Sequence, residues 1–309
     1  MPLPKWGSAV IDVFADVILP ILLVAGIGGW LADRFDVDVG PLSRLTFFLL
    51  SPALVFDALS TVELSGEAAA RIAGVGVIAW VLTAGVSLLL SRVLGHSPEQ
   101  RSAIALAAAM SNGGNMGLPV AALAFDDAGF EVAIVLFVVS VMLAGTGGVV
   151  LASLAGGSGL GNAWSAPLKV PAVWAAAAGL VVGFSDVDLP TAITESAGTL
   201  GGASIPVMLI VLGLHVRRPV QAALGTDLVL AVGLRLVAGP LLAWVATMMV
   251  ALDGVPQRTA VVLGGMPTAV IATIYATEYN ARPAFVTRVV VVSTLASILT
   301  LTVLVTSLR

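Results

Sequence analysis

The feature that most constrains this chain is a series of long stretches without a charged side chain. Ser102–Phe125, Val132–Leu168, Ser196–Val216, Thr259–Thr277 and Val289–Leu308 contain no Asp, Glu, Lys or Arg. A helix rising 1.5 Å per residue needs about 20 apolar residues to cross about 30 Å of hydrocarbon. Strands are excluded. Alternation at period two is absent, and lipid accepts only helices or closed barrels, because backbone polar groups must be satisfied internally. Cutting at charges, glycine clusters and prolines predicts ten spans, near 9–31, 42–60, 69–94, 101–125, 131–154, 168–184, 192–214, 228–251, 258–279 and 284–307. The first is read as a span and not as a removable leader. It is too long, lacks a small-x-small cleavage site, and is interrupted by Asp12 and Asp16. The expected fold is an all-α integral membrane protein whose main partner is the lipid bilayer.

Composition narrows the function. With 59% hydrophobic and 10% charged residues, the chain departs from soluble domains, which carry about 25% charged residues. An ordinary soluble enzyme and a disordered protein are excluded. The net charge of −4 and the lack of a basic block leave nothing to hold a nucleic acid. There is no cysteine, and the two histidines, His96 and His215, stand in unrelated hydrophilic gaps. No metal or cofactor is therefore expected. A membrane-embedded enzyme would need a nucleophile–base pair or a metal cluster, and the spans offer neither.

Orientation follows from the basic residues near span ends. One set of ends holds Arg34, Arg44, Arg92, Arg101, Lys169, Arg217, Arg218, Arg282 and Arg288; the other holds Lys5, Arg71, Arg258 and Arg309. The richer set is assigned to the cytoplasm, which puts both termini outside a multi-pass plasma-membrane protein. The hydrophilic stretch at 155–167 reads as a short cytoplasmic linker.

The linker separates two similar halves, 1–154 and 168–309. Asp36-Val37-Asp38-Val39 recurs as Asp186-Val187-Asp188-Leu189, Ser51-Pro52 as Ile205-Pro206, and Pro98-Glu99-Gln100-Arg101 as Pro256-Gln257-Arg258. Five spans per half is an odd number, so the second copy is inverted. Inverted repeats are typical of secondary transporters, which bind substrate near the midplane at broken helices.

Two spans carry residues that a plain membrane helix would avoid. The fourth contains Ser111-Asn112-Gly113-Gly114-Asn115-Met116-Gly117-Leu118-Pro119. Asn112 lies about 16 Å in from Arg101, near mid-membrane, and Pro119 cannot donate to the Asn115 carbonyl. The ninth contains Gly264-Gly265-Met266-Pro267-Thr268-Ala269-Val270. Pro267 lies about 14 Å from Arg258 and enters from the opposite side. Gly113, Gly114, Gly117, Pro119, Gly265 and Pro267 are the candidate helix breakers. Ser111, Asn112, Asn115, Met116, Met266, Thr268 and Val270 are the candidate substrate-binding residues. Half-helices starting at the breaks are expected to aim positive dipole ends at an anion. Pro267 aligns with Met110 and not with Pro119, so asymmetric breaks are expected.

The segment 111–119 resembles the Asn-x-x-Asn-x-Gly-x-Pro signature of the auxin efflux carrier family, which includes plant auxin carriers and bacterial transporters of organic acids. Arg235-Leu-Val-Ala-Gly-Pro240 and Met266-Pro267-Thr268-Ala269-Val270 are similar to that family's eighth and ninth helices. The resemblance runs over roughly residues 10–305. It implies ten helices in two inverted five-helix repeats, with the fourth and ninth crossing as broken helices, as in bile-acid symporters and some sodium/proton antiporters. It also implies fourth-helix asparagines that touch a carboxylate. The linker is far shorter than that of the long plant carriers.

Further candidates lie elsewhere. Arg235, inside the eighth span, either attracts the anion or snorkels to the cytoplasmic edge. Ser51 is a candidate cavity residue, and Glu278 is expected to pair with Arg282 at i+4. The leading function is a secondary transporter of a small organic anion, as an exporter. Helices 1, 2, 6 and 7 would form a scaffold and the face of a homodimer, and helices 3–5 and 8–10 the moving domain. Sodium or proton coupling stays open, and a channel or a membrane sensor is the alternative class.

Overall fold

The computed structural model describes residues 6–61, 64–155, 167–185, 188–216 and 225–309. Between its ends the linker lies outside these residues, as do Lys5, Asp186, Val187, Arg217 and Arg218. The described residues form helices and no strand beyond one isolated bridge. Among the described residues, seven helices are long and apolar enough to cross a membrane. They are α1 (Gly7–Phe35), α2 (Val39–Ser60), α3 (Gly66–Val93), α5 (Gly113–Ser153), α7 (Thr191–His215), α8 (Thr226–Met249) and α11 (Pro283–Leu308). Four shorter helices complete the set: α4 (Pro98–Ala109), α6 (Pro171–Gly183), α9 (Gly254–Gly264) and α10 (Ile271–Glu278).

Local chemistry sets these limits. The Asp38, Ser65 and Ser97 side chains accept from the backbone N–H groups of Gly40, Ala68 and Gln100, so each caps a helix start. Pro98 and Pro283 occupy the first helical turn, where no donor is needed. Asp36, Asp126, Asn280 and Arg282 take left-handed backbone angles where one helix hands over to the next. The turn at Phe125–Asp126 divides α5 into two arms.

Several helices meet backbone to backbone. A Cβ on Gly28 would collide with the Ile210 carbonyl, and one on Gly213 with that of Ala25, so α1 and α7 touch where only glycine fits. Close packing also joins α2 to α6 and α7, while α3 packs on α4, α5 and α8. Two contacts fix the direction of α11. Arg282, just before it, hydrogen-bonds Gln100 at the start of α4, and Arg309, just after it, donates to the carbonyls of Leu123 and Ala124 at 3.2 and 3.1 Å. Gln100 thus takes the place expected of Glu278 as the partner of Arg282. No Glu278–Arg282 ion pair forms among the described residues. The end of the bundle near Arg309 is filled with apolar side chains, including Val17 and Ile21 of α1, Val120 and Ala124 of α5, Leu209 and Leu212 of α7, and Leu301 and Val305 of α11.

Candidate functional site

The site begins where two helices stop. α4 ends at Ala109; Met110 is extended, with φ −86° and ψ 90°, and α5 begins at Gly113. α9 ends at Gly264, and helix resumes at Ile271. The two interruptions lie against each other. Ser111 and Thr268 form an antiparallel bridge. The Asn112 N–H donates to the Pro267 carbonyl at 2.8 Å, and the Ala269 N–H to the Met110 carbonyl at 2.7 Å.

Stopping a helix leaves carbonyls without amide donors, and a dry interior makes that costly. Side-chain donors reach these helix ends in a reciprocal pattern. The Ser111 hydroxyl donates to the Leu263 carbonyl of α9 at 2.9 Å, and the Thr268 hydroxyl to the Ala107 carbonyl of α4 at 2.8 Å. Arg235 of α8 serves both ends at once, with Nη1 on the Ala108 carbonyl and Nη2 on the Gly264 carbonyl. It is 3% exposed, so it does not snorkel.

Beside the bridge lies a cavity of about 510 Å³, within the usual range for small-molecule sites. Met110–Asn115 form part of its wall, with Arg235, Val270 and Tyr275 nearby and Trp80 and Phe137 as aromatic sides. From α2 come Arg44, Phe47, Phe48 and Ser51, whose i, i+3, i+4, i+7 spacing sets one helix face. The cavity reaches the bundle end marked by Arg44 and His215, away from the packed apolar end. No Asp or Glu lines it among the described residues.

The expected residues are placed unequally. Ser51, Ser111, Asn112, Gly113, Gly114, Asn115, Arg235 and Val270 all line the cavity. Neither carboxamide side chain, that of Asn112 or Asn115, has a protein partner among the described residues. Met116, Met266 and Thr268 lie outside the wall. Met116 and Met266 belong to the packed apolar cluster, and Thr268 is fully buried with its hydroxyl engaged. The breakers are also redistributed. Gly265 and Pro267 stand in the α9–α10 interruption. Gly113–Gly117 instead form a wide helical turn, and Pro119 sits in the first turn of the regular helix that follows. The fourth-span break is therefore at Met110–Asn112, ahead of the glycines. Met110 and Pro267 are 157 residues apart, the same interval as Arg101 and Arg258, and both stand in interruptions, so the break expected at Pro119 is corrected to Met110–Asn112.

Sequence reasoning missed Arg44, Phe47, Trp80 and Phe137 as wall residues. The stripe Arg44-Phe47-Phe48-Ser51 was a usable signal for α2. Arg44 is exposed and makes no ion pair among the described residues, so the cavity mouth presents an uncompensated cation.

The membrane transport protein family matches residues 13–160 and 158–305 of the chain. An uncharacterized transporter of Methanothermobacter thermautotrophicus is 29% identical over 297 residues, covering 95% of each chain. Auxin efflux carrier component 7 of Arabidopsis thaliana is 29% identical over 134 residues, 41% of this chain and 22% of the plant protein.

Proposed function

The chain belongs to the membrane transport protein family that includes the auxin efflux carriers, and from that premise we propose that it is a secondary carrier of a small organic anion, an amphiphilic carboxylate. The observation that carries this reading is the pair of carboxamides at Asn112 and Asn115. An amide in an apolar span is expensive unless hydrogen-bonded, and these two face a cavity without a protein partner. Their N–H groups, the first-turn amides of α5 and the Arg44 cation all favour an anion. The aromatic walls at Phe47, Trp80 and Phe137 favour an apolar body behind the carboxylate.

In this reading the chain crosses the bilayer ten times, as two inverted five-helix repeats, 1–154 and 168–309. α4 with the first arm of α5 is the fourth crossing, and α9 with α10 is the ninth. Helices α1, α2, α6 and α7 are the scaffold and the homodimer face; the remaining helices move past them, by an elevator or rocking motion, around the substrate. The packed apolar end closes one side while the cavity serves the other. With both termini outside the plasma membrane, the cavity faces the cytoplasm. The inside-negative potential then favours export, by about 2.3 kcal/mol per charge per 100 mV.

Titration of the purified protein with benzoate and indole-3-acetate, against uncharged benzamide, tests the reading. Saturable thermal stabilisation by a carboxylate, lost in Asn115→Ala, is expected. Equal stabilisation by benzamide, or an undiminished response in Asn115→Ala, contradicts it.

A further inference from the structure

We propose that Arg235 is a positioning residue: a resident cation that neutralises and clamps the facing C-terminal ends of α4 and α9, and thereby holds the break in the shape that binds substrate. The proposal rests on the carrier reading only for its ligand. Its own basis is geometric. A helix C-terminus carries about −0.5 of an elementary charge, and two such ends meet here at the Ala108 and Gly264 carbonyls, each taken by one terminal nitrogen of the same guanidinium. Two half charges match one cation, which explains how a buried arginine survives with no carboxylate in the cavity wall.

The surroundings are shaped for this contact. A Cβ on Gly239, one turn along α8, would collide with both the Arg235 guanidinium and the Gly264 carbonyl. A Cβ on Gly264 would meet the Ala243 side chain. Both glycines let α8 approach the end of α9 closely enough for the fork to reach. Arg235 Nε has no partner, and the side chain borders the cavity beside Ser111 and Asn112. Each terminal nitrogen holds one carbonyl of the protein, and the proposed action on the ligand runs through the position of the 110–112 segment, which follows directly on the Ala108 carbonyl.

If charge is what matters, a neutral side chain of similar bulk fails and a small cation restores function. Purified Arg235→Met and Arg235→Lys are compared with the unaltered protein by thermal melting without ligand and by benzoate binding, with methylguanidinium or choline added at matched ionic strength. The expected results are a lower melting midpoint and about tenfold weaker benzoate binding in Arg235→Met. Methylguanidinium restores both in a saturable way and choline does not, while Arg235→Lys stays close to the unaltered protein. An Arg235→Met variant that melts and binds normally, or one indifferent to methylguanidinium, overturns the proposal. Should Arg235→Met not fold, Arg235→Lys decides, and its failure to fold as well counts against a role based on charge. The melting arm uses no substrate. Benzoate failing to bind the unaltered protein would therefore contradict the proposed substrate class and leave the cation test standing.

Discussion

At the two breaks, polar side chains divide into those bonded to the protein and those without a protein partner among the described residues. Ser111 and Thr268 are bonded, each to a carbonyl of the opposite half-helix. Asn112 and Asn115 are of the second kind. Asn115→Ala should therefore leave the melting temperature unchanged and weaken carboxylate binding. A hydrogen bond to a charged group is worth about 1.5–3 kcal/mol, so the expected loss is roughly 10- to 100-fold, read by titration. Thr268→Val should do the reverse. It strands the buried Ala107 carbonyl at a cost of about 1–3 kcal/mol and should lower the melting temperature before it alters affinity. The asparagines were legible in the sequence, because an amide inside an apolar run needs a reason. The partners of Arg235 were not. They are backbone carbonyls released by tertiary geometry, and no residue letter marks them.

Among the elements, the fourth-span break shows how a proline can mislead. Pro119 draws the eye, yet a proline in a first helical turn removes no needed bond, and the chain leaves the helix at Met110 instead. Pro119→Ala should accordingly leave transport close to normal in a vesicle assay, whereas a loss as deep as that of Asn115→Ala would restore Pro119 as the breaker. The repeat register places Met110 opposite Pro267, and both residues stand where a helix is interrupted. Hydropathy located the long helices well, since α1, α2, α3 and α11 each carry a long apolar stretch with at most two charged residues. It could not see that the fourth and fifth spans join into α5 across a two-residue turn. Nor could it assign Trp80 on α3 or Phe137 on α5, which reach the cavity only through packing.

For the whole molecule, the cavity at one end and the packed apolar cluster at the other are what the proposed carrier would present in one state of an alternating-access cycle. The absence of native cysteine makes its orientation easy to test. In intact cells a membrane-impermeant maleimide should label Asp127→Cys and spare Leu94→Cys; the opposite pattern would place the cavity mouth outside. The central claim, a carrier that binds its anion at the paired breaks, is tested most directly by counterflow. Proteoliposomes loaded with unlabelled benzoate are exposed to labelled benzoate. Saturable label entry, accelerated by the internal benzoate and abolished in Asn115→Ala, is the predicted result. Entry that rises linearly with concentration, shows no acceleration from the inside, or persists unchanged in Asn115→Ala would contradict it.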